Sequence, residues 1–245
     1  MTPPPTNIDG TDITGATIDC QDVQEITVDG QTVFSPGPVL RVVRYNFENN
    51  GDTSSITDSF GNNDGTINGA AYTTDSEVGN FALSFDGTGD NVDVPDFPAG
   101  LGAFSFGGYY KEFRGDARPR MISCSSNNFR AYINFKNNTG WEFGVNGNLI
   151  KEGTTSYTTG NYRFVVFVYD KTGLGDGTTA KIYSEDANEI ASGTPSTSDI
   201  LTGGKLLGSR GPGDHWDGHL DDLRGYSKGL SSTEVSNWYN TGTID

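Results

Sequence analysis

The chain is poor in the side chains that most often carry chemistry. It holds two histidines and two cysteines in 245 residues. Cys20 and Cys124 lie far apart and form no C-x-x-C pair, which excludes a zinc ribbon and a dithiol redox centre. They read as two separate buried thiols, with a bridge between the N-terminal arm and the main body left open. Bases are scarce, 16 Lys and Arg against 32 Asp and Glu. No basic stripe exists to displace counterions from phosphates, so nucleic acid is excluded as a partner. No run of about 18 apolar residues is present, which excludes a spanning helix and membrane insertion. The start, MTPPPTNIDG, lacks a basic region followed by an apolar run and is not a Sec signal. There is no G-x-S-x-G, no Ser/His/Asp order and no phosphate loop; the glycine-rich 171–177 lacks the spacing of a cradle and reads as a turn. Helical periodicity is missing before Ser231.

What the chain has in quantity is glycine, 34 residues, and aromatics, 11%. That combination suits many tight turns around an aromatic and β-branched core. Short strands are expected at 40–47, 65–72, 81–85, 91–94, 103–113, 118–124, 129–135, 140–145, 162–169, 180–184, 205–208 and 219–226. Their spacing and Gly/Asn/Asp/Ser separators favour an all-β antiparallel jelly-roll sandwich over any βαβ fold. Residues 163–169 are apolar almost throughout, the mark of a central strand.

A small module precedes the sandwich. NIDGTDI and EITVDGQTVF each place Asp-Gly between β-prone residues, a strong two-residue hairpin signal. About 27 residues cannot bury a core alone. The module must pack on the main domain, a copy of itself or another protein. SPGPV, 35–39, reads as a linker. The expected division is 1–35, an anchoring and oligomerisation arm, and 36–245, the sandwich.

The acid excess is carried by 23 Asp against 9 Glu, giving a net charge of −16. An Asp-rich, Lys-poor surface suits a protein kept hydrated in concentrated salt, where self-repulsion is screened. A halophilic origin is the expectation.

The closing stretch, WDGHLDDLRGYSKGLSSTEVSNWYN, is the most telling. A strand (Leu220, Leu223, Tyr226) enters a loop ending at Leu230. A helix then begins with Ser231 or Ser232 as N-cap and Glu234 placed for a capping box. Leu220 and Leu223 break strict alternation, which signals a bulge. Together with Phe85-Asp86-Gly87, Val92-Asp-Val94-Pro95, the loop Asp58-Ser-Phe-Gly61-Asn-Asn-Asp64-Gly65, the strand Phe104–Tyr110 and Tyr162–Asp170, this resembles the laminin-G-like, concanavalin-A-like jelly-roll family. The resemblance covers about 40–240. Tyr stands at Tyr109 and Tyr110 where the family usually has Trp, and the Trp and His usual before Val165 are absent. The arm resembles the "IDG…ITVDG…V" front segments of structural proteins from tailed viruses of halophilic archaea.

The resemblance implies binding of glycans or proteins, and often one calcium at a sandwich rim. Asp58, Asn62, Asn63 and Asp64 in one loop, and Asp86 and Asp90 in another, supply the oxygens calcium needs; Asp221 joins them as a metal candidate. Ordinary Asx turns explain the same residues. Asp221 and Asp222 point to opposite faces of a regular strand, with Arg224 a candidate partner for Asp222. His215, Asp217 and His219 alternate, yet no further histidine completes a metal site. Trp216 is a candidate sugar platform or a core residue. Tyr110 and Trp141 join His215, Trp216 and Asp217 as candidate ligand contacts. Retaining glycosidases of this fold need two carboxylates about 5 Å apart; no E-x-D-x-E strand is found, and Glu142 and Glu152 have no acid two residues away. Asn137-Asn138-Thr139 is a glycosylation sequon.

The expectation is a non-enzymatic surface-binding protein for a host cell-surface glycan or glycoprotein. It would be extracellular at a virion surface, a homo-oligomer through 1–35 beside other virion proteins. A capsid or tail component with no ligand is the alternative, and a glycan hydrolase a third.

Overall fold

The structure is a computed structural model. It describes residues 7–8, 11–12, 26–28, 31–34, 42–48, 53–95, 100–114, 118–124, 129–134, 140–153, 160–184, 187–201, 205–209 and 214–244. The linker at 35–39, the sequon, Cys20 and the Cys124 side chain lie outside the described set, and with them the question of a bridge. The chain divides into two compact units, Met1–Leu40 and Arg41–Asp245.

In the first unit, β1 (Asn7–Ile8) pairs with β2 (Thr11–Asp12), and β3 (Ile26–Val28) with β4 (Gln31–Phe34). Ile8 faces Thr11 across Asp9-Gly10, and Val28 faces Gln31 across Asp29-Gly30. These pairings bracket the two Asp-Gly signals, which themselves lie outside the described residues.

The second unit is two antiparallel sheets. One contains β6 (Ser55–Ile56), β7 (Gly65–Asn68), β10 (Asn91–Val94), β12 (Arg120–Cys124), β13 (Phe129–Asn134), β14 (Gly140–Val145), β15 (Asn148–Lys151) and β19 (Lys205–Leu207), in the order β15-β14-β13-β12-β19-β10-β7-β6. The other contains β8 (Ala71–Thr73), β9 (Ala82–Asp86), β11 (Ala103–Glu112), β16 (Tyr162–Asp170), β17 (Ala180–Ser184), β18 (Asn188–Gly193) and β20 (Asp217–Tyr226), in the order β18-β17-β16-β11-β20-β9-β8; β5 (Val42–Tyr45) also pairs with β20. The jelly-roll expectation holds.

Alternation sorts the side chains. Along β16, Val165, Phe167 and Tyr169 enter the core between the sheets, while Phe164, Val166 and Val168 pack under the helix α1 (Ser232–Thr241). A strand buried on both faces needs the continuous apolar run seen in the sequence. The helix closes its own start: Ser231 Oγ accepts from the Glu234 N–H while Glu234 accepts from the Ser231 N–H. It ends at Gly242, whose φ of 71° only glycine adopts freely, with its N–H on the Trp238 carbonyl.

The expected bulge is on β20. Gly107 pairs with Arg224 but Tyr109 with Asp221, so β20 carries one extra residue there, and Asp222 has φ 40°. The span 65–72 is not one strand. It breaks after Asn68: β7 stays in the first sheet and β8 crosses to the second.

Candidate functional site

The structure gathers three of the expected ligand contacts in the core and sets the expected metal loops apart. Tyr110, Trp141 and Trp216 are 2%, 0% and 0% exposed. They form one aromatic knot between the sheets, with Tyr110 and Trp141 ring centres 4.9 Å apart and the Trp141 Nε1–H on the Tyr110 hydroxyl at 3.2 Å. They offer no ring face to a sugar, which corrects the platform reading. The cause is phase: Trp216 lies in register with inward Leu220 and buries with it. His215 precedes the strand and meets Ser209 Oγ at 3.1 Å, whereas Asp217 sits in β20 opposite Asp86.

The two acidic loops do not meet. Asp58 bridges Tyr45, which pairs with Leu223, whereas Asp86 pairs with Asp217. About six residues of β20, roughly 20 Å, separate those levels. The oxygens are also taken. Asp58 Oδ1 accepts from the Arg44 and Phe60 N–H groups, and Oδ2 from the Asn63 N–H and Nδ2. Four donors fill a carboxylate's lone pairs. Asp64 Oδ1 accepts from the Asp58 N–H, and Asn62 is exposed. Asp86 is bound by the Thr88 N–H and hydroxyl, which hold its pKa down, and Asp90 Oδ2 accepts from the Asp86 N–H. Asp221 Oδ2 accepts from the Glu77 and Val78 N–H groups at 2.8 Å each, fastening β20 to that loop. Among the described residues no three His, Cys, Asp or Glu side chains gather in a way that could hold a metal ion. These oxygens are engaged by N–H donors, in Asx turns at Asp58 and Asp86 and in a long-range tie at Asp221.

A different set of residues comes together on the outer face of the β6-to-β15 sheet. Phe129, Ala131 and Ile133 of β13 and Trp141, Phe143 and Val145 of β14 enter the core. The residues between them therefore face outward. Register aligns Arg120 with Tyr132, Tyr132 with Glu142, and Glu142 with Lys151, a row across four strands. The Arg120 guanidinium lies 3.7 Å over the Tyr132 ring, with that of Arg130 at 5.9 Å. The Tyr132 hydroxyl donates to Glu142 Oε2. Burial, and then this bond, push the Tyr132 phenol up to about 12. Lys151 Nζ is 3.7 Å from Glu142 Oε1, and Arg120 Nη2 donates to Asp214 Oδ2 at 2.9 Å. Gly144 makes room: a Cβ there would meet Arg130 Cγ and Nε at 2.9 Å. Lys151 is the exposed end of the row; Tyr132, Glu142 and Arg120 behind it are buried.

Two further features compete with it. On the outer face of the other sheet, Lys111 Nζ meets Asp75 Oδ2 at 2.6 Å, and the Tyr162 hydroxyl lies 3.1 Å from His219 Nδ1. A cleft of about 510 Å³ opens beside the start of α1, lined by Leu174, Lys181, Tyr183, Glu189, Leu230 and Glu234 among others. Its size suits a small ligand. Its charges are satisfied internally, Lys181 by Asp176 and Glu189, and Glu234 by Lys228 and Ser231. The Arg120 row makes the stronger demand for a ligand.

Residues 85–236 match the family model Laminin_G_3, described as the Concanavalin A-like lectin/glucanases superfamily. Among solved structures the chain resembles domain 4 of AbnA, an extracellular GH43 arabinanase from Geobacillus stearothermophilus in complex with arabinotriose, at 22% identity and TM-score 0.62, covering 82% of this chain and 99% of that one. A Trypanosoma rangeli sialidase in complex with sialic acid aligns at 13% identity and TM-score 0.60, over 90% of this chain and 36% of the sialidase. The binding domain of botulinum neurotoxin serotype C1 aligns at 13% identity and TM-score 0.58, over 81% and 51%. This chain thus spans about a third of the sialidase and half of the toxin domain. At these identities the likeness is one of fold. No curated protein sequence matches.

Proposed function

Because the chain belongs to the concanavalin A-like lectin/glucanases superfamily, we propose that it is a non-enzymatic glycan-binding protein whose contact surface centres on the exposed Lys151 end of the Arg120–Tyr132–Glu142–Lys151 row. One observation carries this reading: a line of charged and aromatic side chains crosses the outer face of β12–β15, strands whose described inward residues are apolar. Guanidinium, phenol, carboxylate and ammonium groups together offer the donors and acceptors that sugar hydroxyls need. Arabinotriose and sialic acid in the two neighbours above support a carbohydrate ligand.

The finer reading places this binding at a virion surface, directed at a host cell-surface glycan or glycoprotein, with 1–35 holding copies together. Repeated copies turn weak single-site binding into avidity. The Asp-rich charge and an N-terminal unit of two short hairpins support it. Size measurement with and without residues 1–35 tests the arm: the shortened chain is expected to be a folded monomer, and an unchanged oligomer refutes the anchoring role.

The decisive experiment is a glycan array with the intact chain, followed by titration calorimetry on the hits. Tyr132→Phe combined with Lys151→Ala is expected to weaken binding about tenfold, roughly 1.4 kcal/mol. Absence of any glycan binding removes the proposal, and release of reducing sugar by purified protein removes its non-enzymatic part.

A further inference from the structure

The buried end of the row holds an incomplete contact. The Arg120 side chain is 2% exposed. Its Nη2 is held by Asp214, while Nε and Nη1 have no acceptor among the described residues. Tyr132 covers one face of the guanidinium and accepts nothing from its edges. Buried charged donors are rarely left open, because stripping their water without replacement is costly.

We infer that the glycan bound here is an acidic sugar, a uronate or sialate type, and that its carboxylate is received by Arg120. The inference rests on the glycan-binding reading and names the ligand class. A carboxylate oxygen answers an open N–H with a charge-assisted bond, about twice as strong as a bond to a neutral hydroxyl. Asp214, whose side chain is 24% exposed, marks the solvent edge of Arg120; the ligand enters past it, with sugar hydroxyls toward Lys151.

The test is calorimetry on the full chain with two matched probe pairs: tri-galacturonate against its neutral galactose trimer, and sialyllactose against lactose. The acidic member of at least one pair is expected to bind about tenfold tighter, and the Arg120 Nε–H resonance to shift when it is added. Arg120→Lys, which keeps the charge but loses the open donors, is expected to bring acidic and neutral members to within about twofold. If that variant fails to fold, the Nε–H shift in the native chain decides. Equal binding of both members overturns the inference while leaving glycan binding intact. Binding of neither member of either pair overturns it too, and array hits with neutral sugars then keep the broader reading alive. An undiminished acidic preference in Arg120→Lys assigns the carboxylate elsewhere and also overturns it.

Discussion

The extra residue in β20 dictates the identity of its neighbour on β11. Gly108 has φ 150°, and a Cβ there would stand 2.6 Å from the Asp222 carbonyl oxygen and 2.9 Å from that of Asp221. These are backbone atoms of β20 and cannot yield cheaply. Gly108→Ala is expected to cost about 2–4 kcal/mol, in the range of other overpacked and strained sites, read as a lowered urea midpoint. The same bulge separates two carboxylates. Asp222 is held by Arg44 Nε at 2.8 Å and Arg224 Nη2 at 2.5 Å. Asp221 pairs with no cation among the described residues; burial lifts it from 3.8 to about 6, against the pull of the Val78 and Glu77 N–H groups. A raised folded pKa means that the folded state holds the proton more tightly. Its stabilising contribution is complete below the unfolded value near 4 and is lost as pH rises through about 6. Asp221→Asn is therefore expected to flatten the fall in melting temperature between those two values. A variant whose melting profile parallels that of the native chain across this window would show that Asp221 is not the group titrating there.

At the scale of the element, the capped helix is the clearest case of local sequence dictating structure. Ser231 and Glu234 satisfy each other's N–H groups, and Ser231→Ala is expected to cost about 1 kcal/mol, measured by chemical denaturation. The Asp-Gly hairpins, the central strand β16 and the bulge were legible for the same reason: each signal lies within a few consecutive residues. Strand β15 carries an equally local signal. Asn146 and Gly147, with φ 50° and 89°, make an Asn-Gly hairpin between Val145 and Asn148. Strand β18 shows no clear apolar alternation because it is an edge strand with exposed residues. The break between β7 and β8 was hidden because alternation reports burial and not which sheet receives the strand. Trp216 was ambiguous because the glycine-rich run before it obscured its phase with Leu220. The Arg120 row was illegible for a deeper reason. It exists only through register across four strands, and no local pattern places Arg120 beside Tyr132 or Tyr132 beside Glu142.

Across the whole molecule, two electrostatic scales oppose each other. A net charge of −16 repels any acidic glycan at long range, while Arg120 attracts its carboxylate at contact. Salt separates the two, because the Debye length falls from ~10 Å at ~0.1 M to ~3 Å at ~1 M and buried pairs are screened far less than exposed charges. Global repulsion therefore fades first. The affinity for a carboxylated probe is expected to hold or rise between ~0.1 and ~1 M KCl, where a binder relying on an exposed basic patch loses affinity steeply. The same screening is expected to raise the unfolding midpoint at pH 7. That gain is expected to vanish near pH 4.3, where the chain carries no net charge. A salt gain of equal size at both pH values would trace to strengthened apolar burial instead. A carboxylate affinity that collapses with salt would place the attracting charge on the exposed surface, at Lys151 rather than at Arg120.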